Sequence, residues 1–365
     1  MDINIKRFVN IDIKHRVESS ISSIRDTAVL MTSEGTASVN NDERVFSSYA
    51  DFANDATWKQ YTNALSYAKV YFENGGIKLR VKLAIKNSEA ILAYIKSLPT
   101  KEIVIAYAGD EAEIEKAATS LTAAEGTTDD ITKVYGINQK ILLARLDTAK
   151  DCKAIDNFAV KVSKIPGAEM TIAAYLTRLA IYGTDSIQDY AFTSEKIVAE
   201  KSDDNVLGEV LTNNMNVDMS LANAVRNLGG NLTNGLDLVN QYVLIVLQQT
   251  VTDRLINLLT QKVKGQTGVS AIYTTIAGEL GRYVTNGYLT TDKIWTEDTK
   301  TISYNGQTYE LIAKNTPLVL GYHITVLPMS SLTDADKAAH KCPPVYIFLA
   351  ESYGIRSITI NGEVI

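Results

Sequence analysis

The sequence predicts an α/β layer domain followed by an α+β domain, with an extended β arm at each end. Three observations carry this reading. From about Ile24 to Val198, apolar runs of strand type alternate with amphipathic helical stripes, the signature of an α/β layer. Near Lys201 the texture changes to Asn, Asp, Ser and Gly, as in Ser202-Asp203-Asp204-Asn205, before long helical periodicity returns. The first and last segments alternate apolar and polar residues with strand period. At 365 residues the chain is long enough for two packed domains with appendages. The expected division is an arm over 1–22, an α/β domain over 23–200, an α+β domain over 201–352 and a second arm over 353–365.

In the first arm Ile3, Ile5, Val9, Ile11, Ile13 and Val17 fall on odd positions, with polar residues between them except at Phe8. Strands are predicted at Ala28–Met31, Ile103–Tyr107 and Ile141–Leu146, apolar enough to be buried on both faces of a sheet. Ile77–Ile85 differs, because Lys78, Arg80 and Lys82 alternate with its aliphatics and predict one solvated face. Helical stripes run through Trp58, Tyr61, Leu65, Ala68 and Phe72, then Ile91, Ile95 and Leu98, then Ile114, Ala118 and Leu121. Asn74-Gly75-Gly76 stops the first and Pro99 the second. Two more helices are expected near Ala154–Ser163 and Met170–Tyr182.

A polar strand-and-turn stretch then ends in Asn227-Leu228-Gly229-Gly230-Asn231. Helices follow from about Asp237 to Val263 and Val269 to Tyr283. After them come a hairpin about Asn305-Gly306 and strands at Leu318–Leu327 and Val345–Ala350. The last residues, Ile355 to Ile365, form a strand with Ile358, Ile360 and Val364 and a break at Asn361-Gly362.

Composition narrows the function. A net charge of −6 argues against a protein whose main task is gripping phosphate backbones, so no direct nucleic-acid partner is expected. The two cysteines, Cys152 and Cys342, make no disulfide framework. No signal peptide is apparent at the amino terminus. The apolar run Tyr242–Leu247 is interrupted by Gln248 and Gln249, far short of the roughly 20 apolar residues of a membrane span, so no membrane insertion is expected.

The search for chemistry is just as restrictive. Asp110 and Asp147 follow two predicted strands and stand where open parallel sheets place ligands. A nucleotide- or metal-dependent α/β enzyme built on these two carboxylates is the alternative reading. Against it, no Gly-rich phosphate loop accompanies them, and a helix N-cap and a turn explain both residues. The three histidines, His15, His323 and His340, lack the short-spaced partners of a zinc site. Cys342 stands two residues from His340 without a further activating group. No catalytic residue, cofactor or metal is assigned.

The strand-patterned ends remain. A lone strand leaves its own backbone groups unpaired, and an exposed edge invites pairing with another chain. Burying three large aliphatic side chains of one arm is worth about 5–8 kcal/mol before ordering costs. Composition alone leaves open whether the arms close on their own domain or pair with another chain.

Ser22-Ser23-Ile24-Arg25-Asp26-Thr27-Ala28-Val29-Leu30, Tyr49-Ala50-Asp51-Phe52 and Tyr71-Phe72-Glu73-Asn74-Gly75-Gly76 resemble the amino-terminal half of the family of shorter contractile tail sheath proteins of myovirus-type phages. Asn227 to Gly235 and Val246 to Thr252 are similar to its carboxy-terminal half, and Pro343 to Gly362 to its terminal strands. Glu351-Ser352-Tyr353-Gly354 departs from the family, where smaller residues are usual.

The resemblance implies an outer α/β domain, an inner sheath core domain and a homo-oligomer of stacked hexameric rings around an inner tail tube protein. It also implies baseplate and tail terminator partners, assembly in a host cytoplasm, residence in the virion and no nucleotide hydrolysis. Ile3, Ile5, Val9, Ile11 and Ile13 would form one donated strand, and Ile358, Ile360 and Val364 the other. A short helix within Ser331–Lys341 would face the tube, with Lys337, His340 and Lys341 as the contact candidates. Helix-dipole complementarity is the competing explanation of its charges.

Overall fold

Thr27–Thr32 (β1) carries no charge, and all but its first residue are buried in the computed structural model. The structure describes residues 25–36, 42–99, 101–123, 140–149, 153–182, 190–200, 204–221, 223–260 and 265–352. Seven further strands join β1 in one sheet: β2 (Glu43–Phe46), β3 (Lys78–Lys82), β4 (Val104–Ala108), β5 (Ile141–Leu146), β6 (Phe158–Val162), β7 (Asn216–Leu221) and β8 (Ala224–Leu228). Their order is β2-β3-β1-β4-β5-β6-β7-β8. The six central strands are parallel, and β2 and β8 pair antiparallel at the two ends.

Among the described residues six helices accompany this sheet: α1 (Tyr49–Asn54), α2 (Thr62–Glu73), α3 (Ser88–Ser97), α4 (Glu111–Ala123), α5 (Met170–Tyr182) and α6 (Asp204–Thr212). One face, with Met31, Ile105, Leu142, Val160 and Val217, packs against Ile91 and Ile95 of α3, Ile114 of α4 and Val210 of α6. The opposite face carries α2 and α5. Coverage of both faces is the condition under which parallel strands become continuously apolar.

β3 keeps its expected half-solvated character. Leu79 and Val81 are buried, while Arg80 reaches Glu102 at 2.7 Å and Lys82 reaches Asp42 at 2.6 Å. The edge strand β8 is covered by a strap, residues 190–200. Phe192 N–H donates to Asn227 O at 2.7 Å, Asn227 N–H to Thr193 O at 3.1 Å and Glu195 N–H to Val225 O at 3.0 Å. A covered edge cannot template pairing with another chain.

Two expectations are corrected here. The helix expected near Ala154–Ser163 is strand β6, in parallel register with β5 from Leu142↔Phe158 to Leu146↔Val162. Both of its faces lie under helices, so the polar/apolar alternation that marks a strand is absent. The expected boundary near Lys201 also moves. The described chain separates into two compact units between Tyr242 and Val243, because β7 and β8 complete the first sheet. β2, α1 and α6 are short elements of four, six and nine residues, and the sequence reading did not contain them.

The second unit contains most of the long α7 (Leu238–Thr260), then α8 (Gly265–Thr285), β9 (Lys300–Tyr304) and β10 (Gln307–Ile312). β11 (Tyr322–Val326), a 3₁₀ turn at Met329–Ser331, α9 (Asp334–Ala338) and β12 (Val345–Leu349) follow. Arg254 of α7 reaches Glu279 of α8 at 2.9 Å. The β9–β10 hairpin turns on Asn305 and Gly306, at φ 49° and 78°, as the Asn-Gly pair predicts. β11 and β12 form a separate antiparallel ribbon. β11 is shorter than the expected Leu318–Leu327 because Leu318–Gly321 forms a turn.

Candidate assembly site

The α/β unit has a topological switch point between β1 and β4, neighbours in the sheet, because the connection from β1 to β3 carries α2 on one face and that from β4 to β5 carries α4 on the other. In open parallel sheets this is the usual place for a ligand. Here the chain fills it. The Glu34 carboxylate accepts the N–H of Asn63 at 3.1 Å and of Ala64 at 2.9 Å, the second and third residues of α2. Helix N-termini of this kind attract phosphates, and Glu34 takes the place of one. Thr32 Oγ1 and Asn63 Nδ2 both donate to Ala108 O, at 3.3 and 3.4 Å, closing the gap between β1 and β4.

Asp110 accepts the N–H of Ala112 at 3.0 Å and starts α4, and Asp147 is ion-paired to Arg145. Both carboxylates thus have local structural roles. Among the described residues no group of three acidic, His or Cys side chains is placed to hold a metal ion. His323 Nε2 lies 3.1 Å from Leu311 O and 3.0 Å from Thr325 Oγ1, within the strand layer. Cys342 is exposed, and its thiol is pushed up to about 11 by desolvation, away from a reactive thiolate. His15 and Cys152 lie outside the described residues.

A second polar cluster is fully buried. Lys161 of β6 is 0% exposed, and its Nζ lies 2.7 Å from Glu195 Oε2 in the strap and 2.8 Å from Asp218 Oδ1 of β7. It also donates to Tyr190 OH at 2.9 Å, and Tyr190 OH donates to Glu195. Burial raises the Glu195 carboxyl, but Lys161 outweighs it and holds the group below its usual range. Asp218 goes the other way. Burial, which Lys161 offsets only in part and Glu195 reinforces, lifts it to about 7. The cluster fastens the strap to the sheet through one ammonium and two carboxylates. Glu169, just before α5, is likewise buried, and burial, which its own backbone N–H, Arg145 and Tyr67 offset only in part, lifts its carboxyl to about 7.

The ribbon β11–β12 and the helix between its strands form the remaining candidate surface. None of the five residues of β11 is buried, and Phe348 alone is buried in β12. α9 opens with a capping box in which Thr333 and Asp336 bond each other's backbone N–H. His340, at φ 55°, reverses the chain after α9, where Gly or Asn is usual. Lys341 N–H then bonds Asp336 O at 3.0 Å, and Lys341 Nζ reaches Asp336 Oδ1 at 2.7 Å. The Lys341 contact, with Thr333, holds the Asp336 carboxyl well below the usual range.

Lys337 lies 3.4 Å from Asp334 and is half-exposed. The structure therefore brings Lys337, His340 and Lys341 together at one short helix, with each lysine beside an acid. Ile3, Ile5, Val9, Ile11 and Ile13, and Ile358, Ile360 and Val364, lie outside the described residues.

The sequence reading missed Glu34, Lys161 and the strap. The available signal was a lysine inside the apolar run Phe158-Ala159-Val160-Lys161-Val162, which only an internal partner makes tolerable.

A large mixed sheet flanked by helices, followed by small ribbons, is a fold shared with contractile sheath structures. A chain in the cryo-EM structure of the anti-feeding prophage helical sheath in contracted state matches with TM-score 0.61 and 13% identity, covering 96% of this chain and 98% of that one. A chain in the anti-feeding prophage baseplate in contracted state matches with TM-score 0.56 and 13% identity, covering 96% of each. In sequence, residues 239–364 match the family model of the E217 tail sheath protein gp31-like, C-terminal domain. The resemblance to contractile tail sheath proteins thus stands on sequence and on fold. No curated relative matches the chain in sequence.

Proposed function

We propose that this protein is the structural subunit of a contractile tail sheath. It polymerises as stacked hexameric rings around an inner tail tube and contracts to drive the tube through a host envelope. One observation carries the reading: the family match at 239–364 includes the half-buried β11–β12 ribbon, within a chain of which 96% is covered by the fold match to a contractile sheath structure.

A two-stranded ribbon is marginal on its own and gains stability when strands are added. The arms supply such strands, Ile3, Ile5, Val9, Ile11 and Ile13 at one end and Ile358, Ile360 and Val364 at the other. In this reading the arms of neighbouring copies extend the ribbon and keep the lattice connected. The α/β unit faces outward and the ribbon unit faces the tube. Lys337, His340 and Lys341 meet an acidic tube surface, since both lysines are exposed and surface ion pairs are weak. Baseplate and terminator proteins close the two ends of the polymer. The work of contraction is conformational, and the crevice closed by Glu34 supports a cycle without nucleotide.

Negative-stain microscopy of the concentrated protein tests this directly. Rings or ribbed tubes are expected, and removal of residues 1–17 or 355–365 abolishes them. Persistent monomers indifferent to both truncations overturn the proposal. The likeness to an anti-feeding prophage sheath favours, as a second reading, the sheath of a related contractile injection or secretion system. Neighbouring genes distinguish the two.

A further inference from the structure

Leu318–Gly321 forms a tight turn in which Gly321 N–H donates to Leu318 O at 2.8 Å. Leu318 is buried, and its own N–H is bonded to Lys293 O at 2.9 Å, so the turn is anchored at its entry. At its exit Gly321 has φ 76°, and a Cβ there would stand 2.8 Å from Val284 Cγ2. Glycine is required at that position.

The two central positions of turns ordinarily go to Pro, Asn, Asp, Gly or Ser. Here they hold Val319 and Leu320, which are 66% and 55% exposed. Ile294, 53% exposed, stands beside them on the segment bridged to Pro317. The backbone thus holds three aliphatic side chains in water, on a fixed support. An apolar cluster presented this way marks an interaction surface.

We infer that this apolar tip is a contact between copies of the chain, adjoining the exit of the carboxy-terminal segment. The inference rests on the sheath reading above. Its second support is where the chain leads next. Ala350 N–H donates to Gly321 O at 2.9 Å, Thr290 N–H to Ala350 O at 2.8 Å and Ser352 N–H to Tyr288 O at 3.0 Å. The chain therefore leaves the described residues beside the tip.

Residues 353–365 follow, with Ile355, Ile358, Ile360 and Val364 among them. Fully extended, they reach about 40 Å. A second copy that receives this segment is drawn alongside the tip, which makes a second copy the occupant. In the sheath reading the contact is heterologous, the kind that generates rings or helical polymers.

Two variants test it. Val319→Asp combined with Leu320→Asp is expected to melt as the wild-type monomer does, because both side chains are exposed, while raising the concentration needed for polymerisation at least about tenfold. Polymerisation at the wild-type concentration overturns the inference. Leu320→Cys, in a chain with Cys152→Ser and Cys342→Ser, carries an environment-sensitive fluorophore and is mixed at trace level with unlabelled protein. Its emission is expected to shift to the blue as the polymer forms. Unchanged emission in assembled tubes overturns the inference while leaving the sheath reading intact. A blue shift on adding tube protein alone assigns the tip to the tube and also overturns it. Wild-type chains that never polymerise overturn both readings.

Discussion

Every residue of β4 and β6 is buried, whereas β11 has none buried and β12 only Phe348. The first unit satisfies its strands internally, with helices over both faces of the sheet and a strap over the outer edge of β8. The second unit holds its strands in pairs, each half-covered. The difference separates two kinds of stability. One resides in the chain, and the other is expected to arrive with assembly, since a two-stranded ribbon is a marginal structure. In the proposed sheath the self-contained unit would be the scaffold, and the incomplete one the place where neighbours act.

The strongest way to break this contrast is to damage the scaffold from inside. Lys161→Met leaves Glu195 and Asp218 buried without their cation, and a loss of about 3–5 kcal/mol in urea unfolding of the monomer is expected. A loss below 1 kcal/mol would show that the strap is held by something else.

A smaller effect is expected from Glu169. Burial raises its carboxyl from the usual 4.5 to about 7, so the folded chain holds this proton where the unfolded chain releases it. The group therefore costs nothing below about pH 4, and its contribution worsens as pH rises towards 7, by about 3 kcal/mol in all. Glu169→Gln is expected to remove this slope from a series of unfolding curves between pH 4 and 7. An unchanged slope refutes the assignment.

The smallest effect on folding is expected at α9. Lys337→Glu with Lys341→Glu should leave the melting temperature unaltered, because both lysines are exposed. Co-sedimentation with the inner tube should fall. Undiminished co-sedimentation removes Lys337 and Lys341 from the tube contact.

The parallel strands were legible because their apolar runs are continuous, as at Val104–Ala108 and Ile141–Leu146. The Asn305-Gly306 hairpin was legible because a type I′ turn needs φ > 0 at both residues. β6 was not, because the buried Lys161 interrupts its apolar run. The unit boundary was obscured because the polar stretch after Lys201 resembles a linker. Its strands β7 and β8 are stabilised by long-range partners, Asn216 Nδ2 donating to Val160 O at 3.1 Å among them, and local composition does not record those partners. Of the candidate site, the charged residues of α9 were visible as a cluster. The backbone role of His340 was not, since histidine rarely marks a chain reversal.

Glu34 has a consequence beyond closing a crevice. An α/β layer with a helix pointing its N-terminus at the switch point is, by geometry, a receptor for anions, and this chain carries its own anion there. That one side chain occupies the position a phosphate would otherwise take, so an anion could enter only by displacing Glu34 from the Asn63 and Ala64 N–H groups.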